Sequence, residues 1–219
     1  MTEPTWLRRQ ADAPFEASDA VAVAVVHNEH WHAGLVYADE DDKLHLLHLA
    51  FHFRLRRDRE FGSYAFVVPE LDLEVKQNIA AMCERVWKRY HREGLPYGFR
   101  FDATRFDASG EITWGNDEVG LTCATLPLAV FASVGRPLVD LTTWRTRDDD
   151  RAVHEALLAL LREHCPNAKQ HLAAVEKQVG CTRVRPEESA GACSADELPC
   201  TCELAAAAGD SIRVAIADS

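Results

Sequence analysis

The apolar and polar positions of this chain change their period along its length, and the changes mark out its elements. From 20 to 70 the period is close to two. AVAVAVVH (20–27) sets branched Val between small Ala, a pattern that suits a buried strand. HAGLVYA (32–38) reads as a second strand after the tight connection HNEHW. KLHLLHLAFHFRL (43–55) reads as a third and longer strand beyond the acidic turn DEDD. RRDREFGS turns the chain again, and YAFVVPE (64–70) is a fourth strand. The spacing predicts an antiparallel meander.

The period then becomes helical. A helix is predicted over about 72–92, with Asp72 as N-cap and Val75, Ile79, Met82, Val86 and Tyr90 on one face. EGLPYGF breaks it, and EITW (111–114) reads as a short strand. A second helix is predicted from about 123 to 134, stopped by Gly135-Arg136-Pro137. DDDRAVHEALLALLREHC (148–165) is a third, with aspartates suited to its N-terminus. Pro166 ends it and begins NAKQHLAAVEKQV, which Gly180 closes. Residues 1–19 look like a loose lead-in. Residues 181–211 show little periodicity, and SIRVAIA (211–217) is open between a last strand and a tail helix. The expected fold class is α+β, an antiparallel sheet with helices packed on one face. The expected domain is 20–180, with a cysteine-containing C-terminal segment at 181–219.

Composition narrows the partners. The 219 residues are 47% apolar and 27% charged, which is ordinary globular usage. Lys and Arg number 24 against 35 Asp and Glu, a formal charge of -11. Such a surface repels phosphate backbones and anionic membranes, so no nucleic-acid partner is expected. No apolar leader opens the chain and no run approaches a membrane span, so no membrane insertion and a cytoplasmic location are expected. The seven cysteines are then expected as thiols.

Candidate chemistry gathers around two features. Six of the ten histidines lie between 27 and 52, and Cys123 stands where the apolar helical pattern of GLTCATLPLAVF begins. Strand alternation puts His48 and His52 on one face of the third strand and His45 on the other. His32 opens its strand, at a sheet end. A cysteine hydrolase needs a thiol at a helix N-terminus, a histidine within reach, a polar residue to orient that histidine, and a donor for the oxyanion. Cysteine is also among the most often buried residues, so Cys123 alone carries little weight. A metal site from His27, His30 and His32 with His45 or His52 matches no defended spacing. Cys181, Cys193, Cys200 and Cys202 offer four thiols, but their only close pair is C-T-C, short of the usual zinc spacing.

HAGLVY, then LLHLA, then a helix opening GLTCATLPLAVF resembles, over about 20–135, the circularly permuted branch of the papain-like superfamily. That branch includes permuted NlpC-type peptidases and lecithin:retinol acyltransferase-like proteins. The resemblance implies a permuted papain-like fold with Cys123 as nucleophile, His32 as base and His48 as the orienting residue. His45 or His52 is the alternative third member. Thr122-Cys123-Ala124 stands where the permuted acyltransferases commonly carry Asn-Cys-Glu. Trp31, Trp114, Asn116 and Thr122 are expected to line the substrate cleft by proximity. The implied activity is cysteine-dependent hydrolysis of an amide or related acyl bond in a peptide, protein or acyl substrate, with no cofactor. Acyl transfer, a non-catalytic binding module and a His/Cys metal-binding protein are the alternatives. Pro127 cannot donate to the carbonyl of Cys123. Either that carbonyl is free to face the site, or the helix begins after the cysteine.

Overall fold

The computed structural model describes residues 4–217. Six strands form one antiparallel sheet: β1 (Leu7–Arg9), β2 (Val21–His27), β3 (Trp31–Ala38), β4 (Leu44–Phe51), β5 (Arg54–Asp58) and β6 (Ala65–Val67), in the order β1-β6-β2-β3-β4-β5. Helix α1 (Leu73–Tyr90) follows. A small hairpin of β7 (Arg105–Phe106) and β8 (Ile112–Thr113) leads to α2 (Thr125–Ser133). The chain ends in α3 (Asp150–His164), α4 (Lys169–Glu176), α5 (Pro186–Ala192) and α6 (Cys202–Ala217). The architecture is α+β, as the periodicity predicts. Among the described residues no helix is long and apolar enough to cross a membrane.

The alternation of AVAVAVV follows from what covers each face of β2. Val21, Val23 and Val25 point to the face that packs on α1 and α2, with Leu35, Tyr37 and Leu47 beside them. Ala22 and Ala24 point to the other face, where the bulky rings of Phe15, Phe61 and Phe66 lie. Small residues under large rings keep both layers filled. The helices occupy one face of the sheet, and the chain's first turns and the β5–β6 connection occupy the second.

Three expectations change. The lead-in is part of the fold: β1 pairs with β6, Phe15 is buried, and Arg8 holds Asp19 at 2.9 Å. The long third strand is a hairpin, β4 and β5, turning at His52-Phe53. Apolar alternation runs on through Phe51, Phe53 and Leu55, which hides the turn. Phe53 has φ 54° and is exposed, and its N–H donates to the Leu95 carbonyl at 2.8 Å. Gly94, at φ 71°, passes so close that a Cβ there would meet the Phe53 carbonyl oxygen at 2.2 Å. A contact from 41 residues downstream, at Gly94, therefore fixes the turn. The weakly periodic segment after 181 forms α5 and α6. Its small residues are the contact: a Cβ on Gly191 would meet Ala208 Cβ at 2.8 Å. Ala190, Ala192, Cys193, Cys200 and Ala205 join the main core.

The loop between α1 and α2 is tied down by one buried carboxylate. Oε1 of Glu118 accepts from the backbone N–H groups of Asp102 at 2.8 Å and Ala103 at 2.7 Å, and Oε2 accepts from the Thr104 hydroxyl. Glu118→Ala would strand these donors inside the protein. It is expected to cost about 3 kcal/mol, read as a lower urea midpoint at unchanged slope. An unchanged midpoint would show the loop is held by other contacts.

Candidate active site

Cys123 sits at the head of α2. Thr122 caps the turn: its hydroxyl accepts from Thr125 N–H at 3.2 Å, and its own N–H donates to Thr125 Oγ1 at 2.8 Å. Leu126 N–H reaches the Thr122 carbonyl at 3.1 Å, so the helical turn extends back to Thr122. Pro127 removes the next bond, to the Cys123 carbonyl, and regular helix is established only from Thr125. Of the two alternatives about Pro127, the second holds: the regular helix starts two residues after Cys123, behind a single turn that reaches back to Thr122.

The β3–β4 pairing stops at Leu35↔Leu47, while β2–β3 runs on to His27↔Trp31. This leaves the start of β3 unpaired by β4. Here the backbone N–H of Ala33 faces the sulfur of Cys123. The charge of a Cys123 thiolate is felt by Tyr64 on the second face of the sheet and by Tyr97 on the first. Cys123 is buried near the start of β3, where β4 no longer pairs.

His32 and His48 project to the second face. His32 Nε2 and His48 Nδ1 are 2.7 Å apart, and His48 Nε2 is 2.9 Å from Asp58 Oδ2. Gly34 makes room for His48, since a Cβ there would meet His48 Cβ at 2.8 Å. The alternatives for the third member are engaged elsewhere. His45 bonds Asp39 at 2.8 Å, and His52 accepts from Tyr97 N–H at 3.1 Å. Asp58 does not stand out in the sequence, because it falls in RRDREFGS, whose polar run reads as a turn. The period-two spacing of Arg54, Arg56 and Asp58 was the available signal.

The chain of bonds sets the protons. Burial pushes the Asp58 carboxyl up, but hydrogen bonds from His48 and Arg56 outweigh this and hold it below the usual range. As a carboxylate it only accepts, so His48 carries its proton on Nε2. Burial lowers the pKa of His48 against the pull of Asp58, so its Nδ1 is a free acceptor. His32 must then donate from Nε2, which leaves its Nδ1 with the lone pair. Burial, then the neighbouring His48, lowers His32 to about 4.

Burial pushes the Cys123 thiol up, against the N–H groups of Ala33, Ala124 and Cys123, and the charge of Glu187 adds to the rise. The resting pair is a neutral thiol and a neutral imidazole. Among the described residues no hydrogen bond joins Cys123 to His32; such bonds commonly tighten only with substrate in place.

A cavity of about 350 Å³ opens on Cys123, with Trp31, Tyr97, Thr122, His154 and Glu187 among its walls. Of the residues expected near the cleft, Trp31 and Thr122 line this cavity. Trp114 and Asn116 do not line it: Trp114 packs against the main core, and Asn116 is exposed. Their loop is tied to the β7–β8 hairpin and to residues 102–104 through Glu118. No known family model, curated protein or solved structure matches this chain. Among the described residues, no three His, Cys, Asp or Glu side chains are grouped to hold a metal ion. Cys193 and Cys200 are buried, and Cys202 heads α6.

Proposed function

We propose that the protein is a cysteine-dependent hydrolase of an amide or related acyl bond, on a permuted papain-like fold. The observation that carries this reading is the hydrogen-bonded chain Asp58–His48–His32, which leaves the His32 Nδ1 lone pair free next to the strand position that faces Cys123. The order of the elements, strands first and cysteine helix after them, supports the fold.

In this mechanism Cys123 Sγ attacks the substrate carbonyl while His32 Nδ1 takes the thiol proton. The imidazolium is held by His48, whose own proton leans on Asp58. The oxyanion forms near the N–H groups at the head of α2, where the helix dipole favours negative charge. His32 returns the proton to the leaving group, and water then releases the acyl group from sulfur.

Electrophiles with different recognition elements test the reading. At least one class is expected to label wild type at Cys123, located by peptide mapping, and to leave Cys123→Ala unlabelled at the corresponding peptide. If Cys123 reacts with every class no faster than free cysteine across pH 5 to 9, the hydrolase reading fails.

A further inference from the structure

Glu187, on α5, is 1% exposed and lines the Cys123 cavity. Its two carboxylate oxygens are used unequally. Oε1 is gripped by Arg213, through Nε at 2.7 Å and through Nη2. Oε2 is buried and has no hydrogen-bond partner among the described residues. A carboxylate held in place with one oxygen unsatisfied is costly to leave so, unless something else fills the place.

The surrounding charges point to what that is. Arg183, also on the cavity wall, is already held by Asp149 at 3.2 Å and by Asp150 at 3.1 Å. Burial, helped by Arg183, lowers His154 to about 4, so it is neutral. Glu29 adds a further acidic group at the rim. The cavity's cations are therefore matched within the protein, while an acceptor remains spare.

We propose that Glu187 is the recognition group of this cavity, and that it takes a primary ammonium carried by the substrate. The proposal rests on reading Cys123 as the nucleophile. It also gives that nucleophile a trigger. The charge of Glu187 opposes the Cys123 thiolate, so a cation docked on the carboxylate removes part of that opposition at the moment of attack.

Methanethiosulfonates test this without a known substrate. The Cys123 thiolate forms a disulfide with the reagent's sulfenyl sulfur, methanesulfinate leaves, and the thiol proton passes to His32 or solvent. Rates at Cys123, followed by peptide mass, are measured for the aminoethyl, trimethylammonioethyl, methyl and sulfonatoethyl reagents. Each rate is divided by its rate with free cysteine. The aminoethyl reagent is expected to exceed the methyl reagent by about tenfold, as one charge-assisted hydrogen bond provides. The trimethylammonioethyl reagent, which has the charge but no N–H, should fall between them, and the sulfonatoethyl reagent below both. In Glu187→Gln the aminoethyl advantage should vanish. An advantage that is absent in wild type, or that survives Glu187→Gln, overturns the proposal. If Glu187→Gln does not fold, the wild-type order decides alone, and any other order overturns it. The methyl rate in wild type against His32→Ala tests the nucleophile separately, so failure of the ammonium site and failure of the hydrolase reading give different results.

Discussion

His32→Ala is expected to slow the reaction of Cys123 with a small neutral electrophile by about a hundredfold at pH 7, and to change the shape of the pH profile. The sign follows from the two shifts. Cys123 is raised by burial, and His32 is lowered to about 4. Between these limits the resting form is thiol plus neutral imidazole, so in the proposed mechanism His32 is fully in its proton-accepting form. Wild type should therefore show a plateau from about pH 5 upward and lose rate as the pH falls through about 4, where His32 becomes protonated. In His32→Ala the only reactive form is the free thiolate, so the rate should climb about tenfold per pH unit across the same range. A stopped-flow alkylation series at constant ionic strength reads both. General-base assistance typically contributes about 10²–10⁴-fold, and the low basicity of His32 places it at the lower end. A wild-type profile that itself climbs tenfold per unit would remove His32 from the chemistry.

This differs from a preformed thiolate–imidazolium pair, the arrangement a helix-head cysteine beside a histidine suggests. The reason is desolvation. Residue types and spacing put a thiol at a helix head and an imidazole at a strand opening, but they do not say how dry each place is. Cys123 is only 7% exposed, and its neighbour Glu187 opposes the thiolate. Burial on this scale outweighs a helix dipole, whose effect is about 0.3–1 kcal/mol at exposed sites.

What was legible in the chain follows the same division. Local periodicity was enough for β2 and β3, whose alternation sorts side chains onto two buried layers, and for α1 and α3, each of which has one buried face. It was enough to bring Cys123, His32 and His48 forward, since strand openings and helix heads are visible as changes of period. Features set by distant contacts were not visible. The turn at Phe53 depends on Gly94. The helices α5 and α6 meet through glycine and alanine, which carry no amphipathic signal, so the segment that delivers Glu187 and Arg213 to the cavity read as featureless. Trp114 and Asn116 lie within ten residues of Cys123 in the chain, yet neither lines its cavity; nearness in sequence does not fix nearness in space.

Asp58→Asn is expected to lower the reaction rate of Cys123 by about a hundredfold at pH 7, through two histidines and with no contact to the thiol. Asp58 Oδ1 accepts from Arg56 at 3.0 Å while Oδ2 accepts from His48. An asparagine keeps one oxygen. Arg56 has only donors, so it orients that oxygen toward itself and turns the amide NH₂ toward His48 Nε2. His48 must then accept at Nε2 and carry its proton on Nδ1. It becomes a donor to His32 Nε2, and His32 is left with its proton on Nδ1, where the base should be. One exchanged atom thus reverses every hydrogen bond in the chain and blocks His32 in the wrong tautomer, while the fold keeps the same contacts. Long-range proton–nitrogen correlation spectra of labelled His32 and His48 distinguish the two tautomers directly. Arg56→Gln in the same chain supplies the rescue. With the guanidinium gone, the asparagine oxygen is free to face His48, and the double variant should recover most of the lost rate. Asp58→Asn with unchanged rate and unchanged tautomers would mean that Asp58 only buttresses the edge of β5. A slow single variant that Arg56→Gln fails to rescue would mean that the carboxylate acts through its charge rather than through the direction of the bond.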